Sequence, residues 1–345
     1  MLKVQCIRRL RSLLFIAILL FFVLVFTISI PAPARAQDVD DVVRTDTSLV
    51  QLNIGVVDGQ GRAITSLNRN NFSIYEDGIK QSIQLFEPVD APFSLVLLLD
   101  MSGSTINFRQ QLKLASQRFL DALGPDDRVA VIQFNAKVKS LAGFSVDRNK
   151  TAYAIEIANG AGETHFYEAL RYALRELEKE GKRRKAIVVL TDGLDSNLRK
   201  IDRETVAQTQ TDEEALSAIK PQDSSDLNSV LSAADRLGVS IYPLALPSGD
   251  PKRLPLPSPT ITGIYAAART RLQTLADRTG GRLNEINRLE YMAQLYREVA
   301  ASLRTLYTVG YQASGERARG KWHEIRVEVT PPELTARTKP GYFGR

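Results

Sequence analysis

The stretch Phe93-Ser94-Leu95-Val96-Leu97-Leu98-Leu99 is apolar at six of seven positions. A strand with one wet face alternates polar and apolar residues. One that is apolar almost throughout has to be covered on both faces, as in a parallel sheet flanked by helices. Ala186 to Leu190 meets the same condition, and Arg128 to Phe134 and Val239 to Leu246 read as further strands. Helical patterns lie between them, from about Phe108 to Leu123, His165 to Glu180, Leu227 to Leu237, Ile264 to Arg278 and Leu289 to Leu303. A strand pair ending near Val146, a short helix after it and a short strand from Arg282 to Ile286 complete the series. Strands alternating with helices of this length predict a doubly wound, mostly parallel, Rossmann-like α/β sheet over residues 93–304.

The flanks have a different period. Val50, Leu52, Ile54 and Val56 alternate with polar or small neighbours, and the runs 72–76 and 79–86 flank Asp77-Gly78, a pair suited to the positive φ angles of a tight hairpin. Beyond the α/β segment, 306–311 reads as a strand, and His323, Ile325, Val327 and Val329 alternate with polar residues. Neither flank has enough strands to close a core by itself, so residues 47–88 are expected to pair with residues 305–345 as a small accessory β unit. Two stretches interrupt the α/β pattern. Residues 197–224 are polar and read as a surface insertion with a helix from Glu204 to Ile219, and Pro247 to Pro259, with five prolines, reads as a stiff exposed loop.

The chemistry gathers at strand ends. Leu99-Asp100-Met101-Ser102-Gly103-Ser104 directly follows the first buried strand and puts one carboxylate and two hydroxyls on one turn. Ala186 to Leu190 runs into Thr191-Asp192-Gly193, and the loop Gly160-Ala161-Gly162-Glu163-Thr164 opens a helix. Open α/β sheets bind ligands at the C-terminal ends of their strands, near the point where the winding reverses. Hard oxygen donors of this kind suit Mg²⁺ or Mn²⁺, with Ca²⁺ as a further candidate. Taken alone, Asp100, Ser102 and Ser104 would equally serve a capping turn.

Asp100-x-Ser102-x-Ser104, followed by Thr164 and by Asp192 within Thr-Asp-Gly, resembles the metal-ion-dependent adhesion site of von Willebrand factor type A domains. The resemblance covers roughly residues 93–304. It implies direct metal contact by Ser102, Ser104 and Thr164, with Asp100 and Asp192 acting mainly through water or bridging hydrogen bonds. It also implies a partner's Glu or Asp in an open coordination position. His165, next to Thr164, is read as a rim residue that touches a partner or faces water, and Asp195 as an acceptor behind the ligands or a turn former. Asn71 to Gly78 and Lys339 to Phe343 are further similar to the flanks of a bacterial group of secreted proteins related to this family.

Enzyme chemistry finds little support. A phosphoryl-transfer site built on Asp100 would need a second acid where Ser102 stands. A serine hydrolase would need a base, yet the two histidines are His165 and His323, and no Gly-x-Ser-x-Gly elbow is present. The N-terminus carries Lys3, Arg8, Arg9 and Arg11 before the apolar run Leu13 to Ile30 and the small residues Ala34 to Ala36, which reads as an export signal or, uncleaved, a membrane anchor. Residues 37–46 read as a tether. Of the 45 basic residues five fall in positions 1–36, which hold no acid, so forty remain against 39 acidic ones and nothing favours a nucleic-acid partner. The dense run Lys182-Arg183-Arg184-Lys185 reads as a solvated helix-end cluster. Cys6, the one cysteine, lies in the signal, which leaves the exported chain without a disulfide or thiolate site. The expectation is an exported, periplasmic, surface or secreted metal-dependent protein-binding module for a partner with an acidic side chain. The alternative is an assembly protein working through its β unit, the metal serving only to stabilise a loop.

Overall fold

The computed structural model describes residues 49–254, 258–286, 288, 291–313 and 320–344. Residues 1–36, read above as an export signal or anchor, and 37–46, read as a tether, lie outside them. Among the described residues no helix is long and apolar enough to cross a membrane.

The N-terminal flank forms β1 (Leu49–Val57), β2 (Phe72–Glu76), β3 (Ile79–Gln81) and β4 (Ile83–Glu87). The α/β segment supplies β5 (Phe93–Asp100), β6 (Arg128–Phe134), β7 (Val138–Ser145), β8 (Arg184–Thr191), β9 (Val239–Ala245) and β10 (Asn284–Glu285), and the tail β11 (Leu306–Gln312), β12 (Trp322–Val329), β13 (Thr335–Arg337) and β14 (Gly341–Phe343). The two flanks interleave in two antiparallel sheets, β13-β1-β11-β4 and β14-β12-β2-β3, each drawing strands from both ends of the chain. Leu52, Ile54, Phe72, Ile74, Tyr307, Val309 and Ile325 fill the core the sheets share. The accessory β unit expected from the period-two pattern is therefore present.

The run 79–86, read as one strand, is two. Asp77 and Gly78 turn the hairpin at φ 49° and 80°, and β3 returns along β2. The chain then changes sheets, so that β4 pairs with β11. Alternation continues through the corner, with Gln81 and Ile83 buried and Ser82 and Gln84 exposed, so the side-chain pattern does not register the change of partner.

The central sheet has the order β10-β9-β8-β5-β6-β7, parallel except for β7. The expected strand pair near Val146 is the single edge strand β7, antiparallel to β6. Residues 95, 97 and 99 of β5 face a layer made by α1 (Arg109–Asp121), α2 (Arg148–Ile157) and, from the far end of the segment, Met292–Leu303. Residues 96 and 98 face the opposite layer, which contains α3 (Phe166–Glu178) and the helices that follow. A strand sandwiched in this way must be apolar on both faces, and each fully buried Leu or Val contributes roughly 1.5–3 kcal/mol.

The polar stretch after Asp195 holds α4 (Ser196–Val206) and α5 (Asp212–Ser217) in place of the single helix expected over 204–219. Only Leu198, Asp202 and Val206 of α4 are buried, too thin a stripe to announce a helix. Next come α6 (Ser225–Leu237) and α7 (Pro259–Thr279), and α8 is the Met292–Leu303 helix already met. The proline-rich segment, expected to lack regular structure, contains the short 3-10 turns Pro247–Gly249 and Pro251–Arg253, and Pro259 opens α7, where a missing N–H costs nothing.

The basic run is a further correction. Arg184 is fully buried at the start of β8. Its guanidinium donates to the carbonyls of Val89 and Ala91 at 3.0 Å and of Leu303 and Leu306 at 3.0 and 2.6 Å, and it lies 4.0 Å over the Phe93 ring. Those carbonyls belong to the two chain crossings between the β unit and the α/β domain. Arg183 donates to Phe93 and Asp126 carbonyls, and Lys185 is buried too. The second half of the run, Arg184 and Lys185, is a buried junction of the fold, while Lys182 is exposed and Arg183 half-buried.

Candidate metal centre

From β5 the chain proceeds to β6 and β7 on one side, then crosses to place β8 on the other, so the winding reverses between β5 and β8. Leu99 pairs with Leu190 in the register of these parallel strands, which brings Asp100 level with Thr191 and the following Asp192 onto the same edge. The Thr191 hydroxyl donates to Asp100 Oδ2 at 2.8 Å, and the Ser102 amide donates to Oδ1 at 3.0 Å. The hydroxyls of Ser102 and Ser104 stand 3.1 Å apart, and the Leu194 amide donates to Asp192 Oδ1 at 3.1 Å. The Gly103 amide donates to the Gly162 carbonyl at 3.0 Å, tying the Asp100 turn to the loop that carries Thr164. The structure thus brings together the three loops that hold Asp100, Ser102, Ser104, Thr164 and Asp192.

Asp100, Ser102, Thr164 and Asp192 are all buried, while Gly103 and Ser104 are exposed, so the cluster opens to solvent on the Ser104 side. Burial, and after it the charge of Asp192, pushes the Asp100 carboxyl up to about 7. Burial also raises Asp192, against the hydroxyl of Ser104 and the Leu194 amide. Asp192 Oδ2 is enclosed and lacks a hydrogen-bond partner. Two buried carboxylates, both raised by burial and one raised further by the charge of the other, stand among hydroxyls and form a donor set for a hard divalent cation, whose charge reverses the cost of ionising them. Among the described residues no group of three or more His, Cys, Asp or Glu side chains is placed to hold a metal, so a cation here would rely on hydroxyl oxygens as well as the two carboxylates.

The loops are shaped by residues to which the motif assigns no role. Arg109 donates to the carbonyls of Met101 and Ser102 and to Asn159 Oδ1, clamping the Asp100 turn against the glycine loop. Asn135 donates to the Ala161 carbonyl. A Cβ on Gly160 would stand 2.7 Å from both the Met101 carbonyl oxygen and Asn135 Nδ2, so this close approach requires glycine. Neither Arg109 nor Asn135 stands out by spacing. Thr191 was visible within Thr-Asp-Gly, but its bond to Asp100 depends on strand register.

His165 precedes α3, with its ring 3.4 Å from Glu163 and from Glu168, and is partly exposed beside the cluster. Asp195 caps α4 through the amides of Asn197 and Leu198, and its other oxygen accepts from the Tyr167 amide at 3.3 Å. It therefore fixes the starts of two helices, both adjacent to centre loops.

No curated protein matches the chain. Its fold is similar to the von Willebrand factor domain of the type V pili tip protein Mfa5 from Porphyromonas gingivalis (14% identity, 66% of this chain and 98% of that one, TM-score 0.46). It is similar also to a von Willebrand factor type A structure from Catenulispora acidiphila (13% identity, 80% and 74% covered, TM-score 0.47). A third similar structure is proximal thread matrix protein 1 from the mussel byssus with a zinc-occupied MIDAS motif (15% identity, 66% and 49% covered, TM-score 0.45). Residues 95–194, which run from β5 to the turn after Asp192 and include all three loops, match the family model of the von Willebrand factor type A domain and are a domain of that family.

Proposed function

We propose that this chain is a metal-ion-dependent protein-binding module, exported from the cytoplasm, that engages a carboxylate of its partner through a bound divalent cation. The observation that carries the proposal is the pair of buried carboxylates, Asp100 and Asp192, on neighbouring strand ends, with Ser102 and Ser104 between them and solvent. Ser102, Ser104 and Thr164 would hold the ion, with Asp100 and Asp192 behind them. A bound cation would supply positive charge and a coordination position open to an acidic side chain. The chain's own residues supply the rest: Thr191 and the Ser102 amide fix the Asp100 carboxylate, and Arg109 and Gly160 fix the loops. Export is inferred from residues 1–36, which place the module in the periplasm, at the surface or outside the cell, with residues 13–30 as signal or anchor. Binding without turnover is proposed because the histidine beside the cluster, His165, has its ring engaged by acidic neighbours, and the carboxylates of Asp100 and Asp192 are assigned to the cation.

The test is thermal unfolding of the full chain in mild detergent, wild type and Asp100→Ala, with chelator and then with millimolar Mg²⁺ or Mn²⁺. Metal at a hundred times its dissociation constant stabilises the folded state by about 2.7 kcal/mol. A shift confined to the wild type supports the proposal. A folded wild type that binds neither cation sinks it and leaves assembly through the β unit as the better account.

A further inference from the structure

The motif gives the centre three loops, and the structure gives it a fourth. After β9 the chain turns at Leu246, whose amide donates to the Thr191 carbonyl at 2.9 Å, and Gly249 comes to rest on Asp192. A Cβ on Gly249 would stand 2.2 Å from the Asp192 carbonyl oxygen and 3.0 Å from its Cα. Immediately before this glycine, the Ser248 hydroxyl is enclosed and has no hydrogen-bond partner. Arg269 of α7 reaches the same loop, donating through Nη2 to the Leu246 carbonyl at 3.1 Å, and its Nη1 is likewise enclosed and unpartnered. Asp192 Oδ2 is a third such atom. Buried polar atoms nearly always have partners, and the three around this loop each have capacity for a further hydrogen bond.

We propose that Ser248 is a positioning residue for Asp192: with the cation bound, its hydroxyl holds the Asp192 carboxylate, directly or through one enclosed water, in the orientation the ion requires, while Arg269 holds the loop in place. The inference rests on the metal-binding function proposed above. Groups that orient a metal's ligands from behind commonly change metal affinity by 10–100-fold when removed. The Pro247 to Pro259 segment thereby takes a part in the centre, at its first turn, that its sequence does not announce.

The experiment is calorimetric titration of the full chain in mild detergent with Mn²⁺, paired with melting in chelator, for wild type, Ser248→Ala, Ser248→Thr, Asp192→Asn and the Ser248→Ala/Asp192→Asn double variant. Ser248→Ala is expected to bind Mn²⁺ about tenfold or more weakly than wild type, with an unchanged melting midpoint in chelator. Ser248→Thr, which keeps the hydroxyl, is expected to restore binding. In the Asp192→Asn background the serine substitution should add nothing, since the serine acts through that carboxylate. Wild-type affinity in Ser248→Ala overturns the inference and leaves the metal-binding function standing. So does a loss that Thr does not restore, or one that persists in the Asp192→Asn background. A wild type that binds no Mn²⁺ overturns both.

Discussion

Strand β8 begins at Arg184 and ends next to Asp192, and both ends of the strand bury a charge. At the start, burial lowers the guanidinium to about 10, yet four carbonyls and an aromatic face surround it and it stays charged. At the other end, burial raises the Asp192 carboxyl and one of its oxygens has no partner at all. The first charge is satisfied by the chain itself and joins parts of the fold. The second is left incomplete by the chain, as the proposed cation site would require.

The sharpest way to break this comparison is at Arg184. Arg184→Met leaves its carbonyls unpaired inside the protein, and an expected loss of about 3–5 kcal/mol in denaturant unfolding, with no rescue by cation, marks the charge as structural. Asp100→Ala, at the opposite end, is expected to melt close to wild type in chelator, because the loss of its hydrogen bonds is set against relief from burying a charge. It should forfeit the stabilisation of about 2.7 kcal/mol expected of the wild type at Mg²⁺ a hundred times its dissociation constant. A large loss in chelator would place Asp100 with Arg184 as a structural charge. Gly249→Ala forces the fourth loop off Asp192 and is expected to cost about 1–2 kcal/mol and to weaken cation binding, read by melting with and without Mn²⁺.

The pH response separates the ends again. The Asp100 carboxyl is raised in the folded state from about 3.8 to about 7. Its contribution to stability is therefore complete below pH 4 and is lost as pH rises through 7. Metal-free protein should lose stability over that window, and saturating Mg²⁺ should flatten the slope; melting across the pH series with and without chelator checks both. His165→Ala is the smallest change, with an expected effect within about 0.5 kcal/mol on melting and none on metal affinity. A loss of partner capture with metal affinity intact would make His165 a contact of the rim.

Much of this was legible in the residues because buried parallel strands and their terminal Asp residues are local signals. Phe93 to Leu99 announced the sheet, and the spacing of Asp100, Ser102 and Ser104 announced the turn, while Thr164 and Asp192 followed on the expected elements. What escaped depends on contacts distant in sequence. Arg184 looked like one cation in a solvated run because its acceptors lie around residues 89 and 303. Ser248 looked like part of an exposed loop because only folding sets Gly249 on Asp192. The sheet change at Ser82 left the alternation of side chains intact, and α4 was hidden because an insertion needs only a narrow buried stripe to stay attached.

The interleaving of the flanks has a consequence for the order in which the molecule is made. In one sheet β11 lies between β1 and β4, with Leu49 opposite Gln312. In the other, β12 pairs with β2, with Phe72 opposite Val329. More than two hundred residues must emerge from the ribosome before either early strand meets its late partner, and contacts so far apart in sequence form slowly. Until then β1, β2 and β4 have unpaired edges, which favour association between chains. The α/β segment, whose strands find their neighbours within itself, can close first and hold residues 92 and 304 at the crossings where Arg184 waits. Early and late strands then meet as the ends of a loop already shortened by a folded domain.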